Sequence, residues 1–444
     1  MNQGAAHQNI IFALKKIAFK TLGCRLNIFE TDALVSQFRN AGYDIVDFNK
    51  EADAYIVNTC TVTNQSDKKS RQETGKASRT NKEAVLVVTG CMATNKKETL
   101  EKEDRITYVV DNEQKSDIFH LLDSHFKGEI ISTDELKPDR FGFDTVEEGL
   151  HTRSLIKVQD GCNNYCTFCI VPFVRGKAVS RPWKDIEKNI REVLDYGFKE
   201  IVITGVNIGR YDADGMDFEN LIEKVLAIPG DFRVRISSIE PEGFGDKLFN
   251  LFSHPKLTPH LHLCIQSGSD KVLLKMRRTY TVDGFRQMVE KIRERIPDFN
   301  FTTDLMVGFP GETEEDFQLS IKAAEEFGFS HIHTFKYSIR KGTRAERMPD
   351  QIPEKIKTQR SAMVREIAEK NKYKYRSSFI GKQQKVLVEK IDKEGFANGY
   401  GEHYIPIKFK ANKNTRTNEF SMVKIIDIEK GNDMELIGEM VLEV

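Results

Sequence analysis

Hydrophobic residues fall along this chain in short bursts separated by longer amphipathic stretches, and that rhythm divides it into three blocks. In the first, residues 17–140, apolar runs at Lys16–Leu22, Ala54–Asn58, Val85–Thr89 and Thr107–Val110 predict strands. Stretches at Asn27–Asn40, Ser66–Thr80 and Glu113–Phe126 predict helices between them. Such alternation implies a doubly wound parallel sheet covered by helices. Phe126–Leu150 is irregular and acidic and predicts a linker. The second block, 151–376, holds six expected strands: Leu155–Gln159, Glu200–Thr204, Arg233–Ser237, His260–Ile265, Asn300–Asp304 and His331–Tyr337. Amphipathic helices lie between them at Asp185–Tyr196, Phe218–Ala227, Asp283–Arg295 and Glu314–Phe327. Six βα units are too few to close an eight-unit barrel, so an open, partial (β/α)6 barrel is expected. The third block, 377–444, shows short runs at Gln384–Lys390, Glu394–Asn398, His403–Phe409, Met422–Ile428 and Glu435–Val441 without helical period. A small antiparallel β-barrel is the expectation there.

Composition changes this picture little. Lys+Arg and Asp+Glu each total 67, so the net charge gives no argument for a nucleic-acid partner. Any such argument must be local. No apolar run is long enough to span a bilayer, and Met1–Lys16 lacks the pattern of a secretion signal. A cytoplasmic protein with no membrane partner is expected. The seven cysteines change the picture more: an odd number in such a chain argues against a disulfide framework and for metal or cluster ligation.

Cys162, Cys166 and Cys169 lie in one loop after the first barrel strand, Gly161-Cys162-Asn163-Asn164-Tyr165-Cys166-Thr167-Phe168-Cys169. Three thiolates can hold three irons of a four-iron cluster and leave the fourth open. An open iron can chelate the amino and carboxylate groups of S-adenosylmethionine. A structural zinc would want a fourth Cys or His, and the nearest candidates are distant in sequence. Cys24, Cys60 and Cys91 look scattered, yet each follows the carboxyl end of an expected parallel strand. Those ends form the crevice of a doubly wound sheet, so the three thiols should converge on a second cluster. Cys264 sits mid-strand and reads as a barrel-interior residue.

With both triads placed, the chain resembles the radical S-adenosylmethionine methylthiotransferase family over nearly its whole length. The motifs are Leu22-Gly23-Cys24-Arg25-Leu26-Asn27, Asn58-Thr59-Cys60, Thr89-Gly90-Cys91, the C-x3-C-x2-C loop, Gln266-Ser267-Gly268-Ser269 and the stretch Leu305 to Thr313. Arg25, Thr61-Val62-Thr63 and Lys69-Ser70-Arg71 look like the branch acting on N6-threonylcarbamoyladenosine 37 of tRNA. Isopentenyladenosine in tRNA and a ribosomal-protein aspartate are the alternative substrates. A passive iron–sulfur RNA-binding protein is the alternative outside enzymes, and the open-iron loop argues against it.

The resemblance implies a C-terminal TRAM barrel, two [4Fe-4S] clusters and S-adenosylmethionine. The Cys162, Cys166, Cys169 cluster would cleave S-adenosylmethionine, and the resulting 5′-deoxyadenosyl radical would take hydrogen from C2 of the adenine. The Cys24, Cys60, Cys91 cluster would carry the inserted sulfur, and a second S-adenosylmethionine would supply the methyl. A tRNA anticodon stem-loop, an electron donor and a sulfur source are the implied partners. Position at strand ends makes Gly205, Asn207, Ser237, Glu240, Gln266, Gly308 and Gly311 candidates for cofactor contact. Arg175 and Arg181, after the cysteine loop, are candidates to neutralise a carboxylate or phosphate. Two basic stretches, Ser66–Lys82 and Pro353–Arg376 with Tyr373 and Tyr375, could track an RNA backbone, whereas Arg376–Val444 is balanced at 11 basic and 11 acidic residues.

Overall fold

The structure, a computed structural model, describes residues 14–147, 152–429, 431 and 433–441. The expected linker's residues 148–150 and the second block's first residue, 151, lie outside them.

Five parallel strands form the first sheet, in spatial order Asp44–Val46, Lys16–Thr21, Ala54–Thr59, Val85–Gly90 and Tyr108–Val110. Ala54–Thr59 and Val85–Gly90 are buried at every residue, as strands covered on both faces must be. The strand Asp44–Val46 was not expected; it is a three-residue edge element with little apolar signal. Thr63 caps the helix Asn64–Thr80 by accepting from Ser66 N–H, which fixes where the chain turns after Cys60.

The second unit is a six-unit open barrel whose third strand breaks at Ser237. The break splits the barrel into two parallel sheets. One holds Arg233–Ile236, Glu200–Thr204 and Arg153–Lys157; the other holds Ser238–Ile239, His260–Leu263, Asn300–Val307 and His331–Lys336. The helix Glu314–Phe327 shows why these elements are local choices. Thr313 and Asp316 form a capping box at its start, and Gly328 ends it in the left-handed region. The expected linker is irregular but not loose: Leu136 is buried in the first unit's core and Val146 in the barrel's.

The C-terminal barrel closes with strand order Gln383–Ile391, Phe396–Tyr400, Pro406–Lys410, Leu436–Met440 and Phe420–Ile428. One pair in it, Pro406–Lys410 with Leu436–Met440, runs parallel rather than antiparallel as expected. This barrel seats on the amino ends of the central strands. Arg233 donates to the carbonyls of Lys385 and Tyr400 at 3.0 and 2.9 Å, and the Asn300 amide donates to the carbonyl of His403 at 2.5 Å.

On the helix Arg25–Asn40, Asp32 is buried, and burial alone pushes its carboxyl up to about 7. The folded value lies above the unfolded one of 3.8, so stability falls as pH rises from about 4 to about 7. Asp32→Asn is therefore expected to raise the apparent melting midpoint at pH 8 by several degrees and to change it little at pH 4. Parallel thermal scans at the two pH values check this, and an equal shift at both would sink it.

Candidate active site

The first cysteine loop is anchored by backbone rather than by its thiols. Cys162 N–H donates to the carbonyl of Gly176 at 3.1 Å, and Cys169 N–H to that of Cys166 at 2.9 Å. Thr167 ties the loop sideways: its N–H donates to Met276, its hydroxyl to Lys275, and its carbonyl accepts from Ala345. A Cβ on Gly161, at φ +70°, would meet the carbonyl oxygen of Lys177 at 2.1 Å, so only glycine fits the turn before Cys162. Burial pushes all three thiols up, Cys169 to about 12 with help from Cys166.

Cys24, Cys60 and Cys91 do converge. A Cβ on Gly23, at φ +97°, would lie 2.9 Å from Cys60 Sγ. Gly90, at φ +92°, has no room either, with Thr59 O 2.4 Å from its would-be Cβ. Glycine thus precedes Cys24 and Cys91 because the backbone reverses against its neighbour strand there. Asn27 holds the floor, donating to the carbonyls of Leu22 and Thr59 at 2.7 and 3.1 Å. Ser70 accepts from Cys60 N–H and donates back to its carbonyl. Asn112 points its amide at Cys91 Sγ, 3.7 Å away, and donates to the carbonyl of Val174 in the barrel unit at 2.7 Å. Burial raises Cys60 and Cys91, and Cys24 adds to both. Cys24 itself is exposed.

Two features test the fit of clusters to these thiols. Five of the six thiols, all but the exposed Cys24, have their ionisation opposed by burial, a cost that bound iron reverses. In neither triad do the sulfurs all close to within 4.8 Å of one another; among the described residues only His262, Cys264 and Asp304 reach that span. A single ion draws its ligand atoms together, whereas a cluster with each thiolate on its own iron holds them apart. Both triads therefore fit clusters better than lone ions.

The two loops abut. Cys91 packs against Ile170 and Val174, just beyond Cys169. Between them runs a buried ion network. Glu30 accepts from Lys115 at 2.5 Å, Lys157 at 2.9 Å and Arg175 at 3.0 Å. Arg175 also meets Asp160 at 3.0 Å and donates to Asn27 at 2.7 Å. These cations hold the Glu30 carboxyl well below the usual carboxylate range against its burial. Arg181, by contrast, donates to Asn189 at 3.0 Å and takes no part in this network.

Beside Cys162 lies a cavity of about 420 Å³, walled by Asn207, Arg210, Glu242, Arg278 and Tyr280 among others. Of the residues singled out for the cofactor, Asn207 lines it, and its amide oxygen and nitrogen have no hydrogen-bond partner. Gly205 lets the backbone pass: a Cβ there would lie 2.9 Å from Gln159 O. Glu240 pairs with Arg278 at 2.6 Å, and the Ser237 hydroxyl and the Gln266 side-chain amide oxygen are buried without partners. A polar cavity with the orphaned amide of Asn207 in its wall fits the amino-acid end of S-adenosylmethionine. Gly308 and Gly311 do not line it. Their open backbone admits Lys357 and Lys275, and Gly308 N–H donates to Glu312 at 2.6 Å.

Two residues at or near the cavity, Gln159 and Glu242, had no sequence signal. Gln159 accepts from Val206 and Asn207 N–H and donates to the carbonyls of Asp160 and Gly161, clamping two loops together. Glu242, held down to about 2 by Arg210, Thr279 and Asn164, braces the rim. Cys264 is buried in the lumen, its Sγ 3.7 Å from Asp304.

The basic stretches part company. On the helix Asn64–Thr80, Lys68, Lys69, Arg71, Lys76 and Arg79 are exposed. On Glu354–Ser377, Lys357, Arg360 and Lys372 are buried and Tyr375 donates to the carbonyl of Asp298, which leaves fewer free cations than expected. No described helix is long and apolar enough to cross a membrane.

Residues 16–111 match the uncharacterized protein family UPF0004, and residues 156–324 match the radical SAM superfamily. The chain is 36% identical over 438 residues to the threonylcarbamoyladenosine tRNA methylthiotransferase MtaB of Thermotoga maritima, covering 96% of this chain and 98% of that protein. The Bacillus subtilis protein of the same name is 36% identical over 89% of this chain and 90% of its own length. A tRNA-2-methylthio-N(6)-dimethylallyladenosine synthase of Fusobacterium nucleatum is also 36% identical, over 85% and 88%. In fold, the chain is similar to the radical S-adenosylmethionine methyltransferase TsrM of Kitasatospora setae, solved with cobalamin and a [4Fe-4S] cluster. The TM-score is 0.55 at 15% identity, over 75% of this chain and 77% of that one.

Proposed function

The chain belongs to the methylthiotransferase family of radical S-adenosylmethionine enzymes, and from that premise we propose that it converts N6-threonylcarbamoyladenosine 37 of tRNA to its 2-methylthio derivative. The observation that carries this reading is the meeting of two cysteine triads across one buried network. A second triad is what sulfur insertion needs beyond radical chemistry. Three units divide the work: 17–140 holds the auxiliary cluster, 151–376 the radical core, and 377–444 the TRAM barrel.

Cys162, Cys166 and Cys169 hold one [4Fe-4S] cluster, and Cys24, Cys60 and Cys91 the other. When bound, the clusters and S-adenosylmethionine supply the one-electron chemistry, the sulfur and the methyl group. The chain's own residues bind and orient. Asn207 offers its free amide to the methionine end, and the Ser237 hydroxyl and Glu240 face the ribose, with Gln266 and the Gly205 turn completing the wall. Tyr280 donates to the carbonyls of Cys264 and Ile265, at 2.9 and 3.1 Å, and so pins the wall that carries Arg278. Arg175 fixes the distance between the cysteine loops, and positioning of this kind is the protein's main contribution to such a reaction. The exposed basic face of Asn64–Thr80 supports binding of an anticodon stem-loop. An electron donor and a sulfur source complete turnover, in the cytoplasm.

Nucleoside analysis of bulk tRNA tests the substrate. Cells lacking the gene are expected to lose 2-methylthio-N6-threonylcarbamoyladenosine and accumulate the unthiolated nucleoside, with recovery from a plasmid copy. Loss of the 2-methylthio-isopentenyl nucleoside instead would transfer the enzyme to the other substrate.

A further inference from the structure

A second cavity, of about 490 Å³, opens at the amino ends of the central strands, where all three units meet. Its lining includes Arg25, His260, His262, His331, Arg376 and Tyr404. Only Ile405 and Pro406 in that lining are aliphatic, so it suits a polar occupant and not a branched hydrocarbon.

Arg25 is the unusual member. Its Nη1 is buried and makes no hydrogen bond. Among the described residues no carboxylate pairs with Arg25, although Asp433 and Glu435 also line the cavity. Glu200 pairs with Arg233 and with Arg235, the latter at 2.9 Å, and Glu389 pairs with Arg153 at 2.9 Å. Arg235 and Arg153 also stack on the Tyr404 ring, 4.4 and 5.3 Å from its centre. A guanidinium withdrawn from water beside two others, with no anion of its own, is costly unless a ligand brings one. Arg25 also follows Cys24 directly, so the cavity wall and the auxiliary cluster share a backbone segment.

We propose that this cavity receives the N6 substituent of the substrate adenosine and that Arg25 holds the carboxylate of its threonine. This rests on the substrate reading above and deepens it. An amino-acid group joined through a carbonyl carries an anion, a hydroxyl and N–H donors. The guanidinium takes the anion in a two-pronged contact, and the imidazoles of His260 and His331 lie within the same wall. Arg25 is then a specificity-determining residue, since an isopentenyl group offers it nothing.

The test uses the reconstituted enzyme with both clusters and two forms of one tRNA, bearing either N6-threonylcarbamoyladenosine or plain adenosine at the target position. Arg25→Gln is expected to raise KM for the modified tRNA by about 30-fold, the scale of a lost charge-assisted contact, with Arg25→Lys recovering part. Its Kd for the plain tRNA should match the wild type. Equal weakening toward both tRNAs would mean a backbone phosphate contact and overturns the proposal, as does an unchanged KM. Iron content and cluster absorbance report whether the variant folds. Should it not, wild-type enzyme with the threonine carboxylate blocked as a methyl ester is expected to show the same loss, and full activity on the ester overturns the proposal. Wild-type enzyme that leaves the modified tRNA unchanged overturns the substrate reading itself, and this proposal with it.

Discussion

Replacing Cys169 by alanine is expected to cut 5′-deoxyadenosine release from S-adenosylmethionine by at least about a thousandfold, the scale on which one member of a catalytic unit matters. Bound iron should fall from about eight atoms to about four per chain. The loop should survive, because Thr167, Cys162 and the Cys169 amide are held by backbone bonds that the substitution leaves intact. Cys91→Ala is the matched experiment. It too should lose about half the iron, yet it should still release 5′-deoxyadenosine while forming no methylthio product. Division of labour between the triads is what the pair measures. If Cys91→Ala abolished cleavage as completely as Cys169→Ala, the two sites would not be separable in the way their placement suggests.

How far these sites were legible in the sequence depends on whether the signal is local. The Cys162 loop is local: nine consecutive residues carry its spacing. Cys24, Cys60 and Cys91 became legible only through the strands before them, since a parallel sheet brings its carboxyl ends to one edge. Strand ends also pointed to Asn207, which lines the cavity beside Cys162. The same logic pointed to Gly308 and Gly311, which do not line that cavity. A glycine after a strand signals close approach, but not of what, and here lysine side chains fill the space. Contacts between distant segments left no trace. Gln159 clamps a loop 47 residues away, and Arg175 reaches Glu30 across 145. Nor could the pattern show that the strand resumes after Ser237, because Ser238–Ile239 is only two residues long. The basic run on Glu354–Ser377 read as one charged face, but the fold turns part of it inward.

The network that the sequence hid should also have the largest effect on stability. Glu30 is completely buried and receives Lys115, Lys157 and Arg175, with Asp160 the other carboxylate within the network. Glu30→Gln keeps the shape and removes the charge. Three buried cations are then left to one carboxylate, and the expected loss is about 3–5 kcal/mol, as for other buried pairs stripped of one partner. Adding Lys115→Met to that variant should restore part of the loss, since among the described residues the Lys115 amine has Glu30 and Asn58 as its hydrogen-bond partners. Acidity supplies an independent check. The folded Glu30 carboxyl lies well below its unfolded value of 4.5, so its contribution is complete above that pH and drains away as pH falls through the lower value. The gap between wild type and Glu30→Gln should therefore be constant from pH 6 to 8 and narrow below about 4.5. Function should fail with it. Glu30 and Arg175 join the helix after Cys24 to the segment after Cys169, so loosening them separates the loops that must act on one base. A Glu30→Gln enzyme is expected to cleave S-adenosylmethionine but to make methylthio product at a much smaller fraction of that cleavage. A variant as stable and as tightly coupled as wild type would show that the network merely fills space.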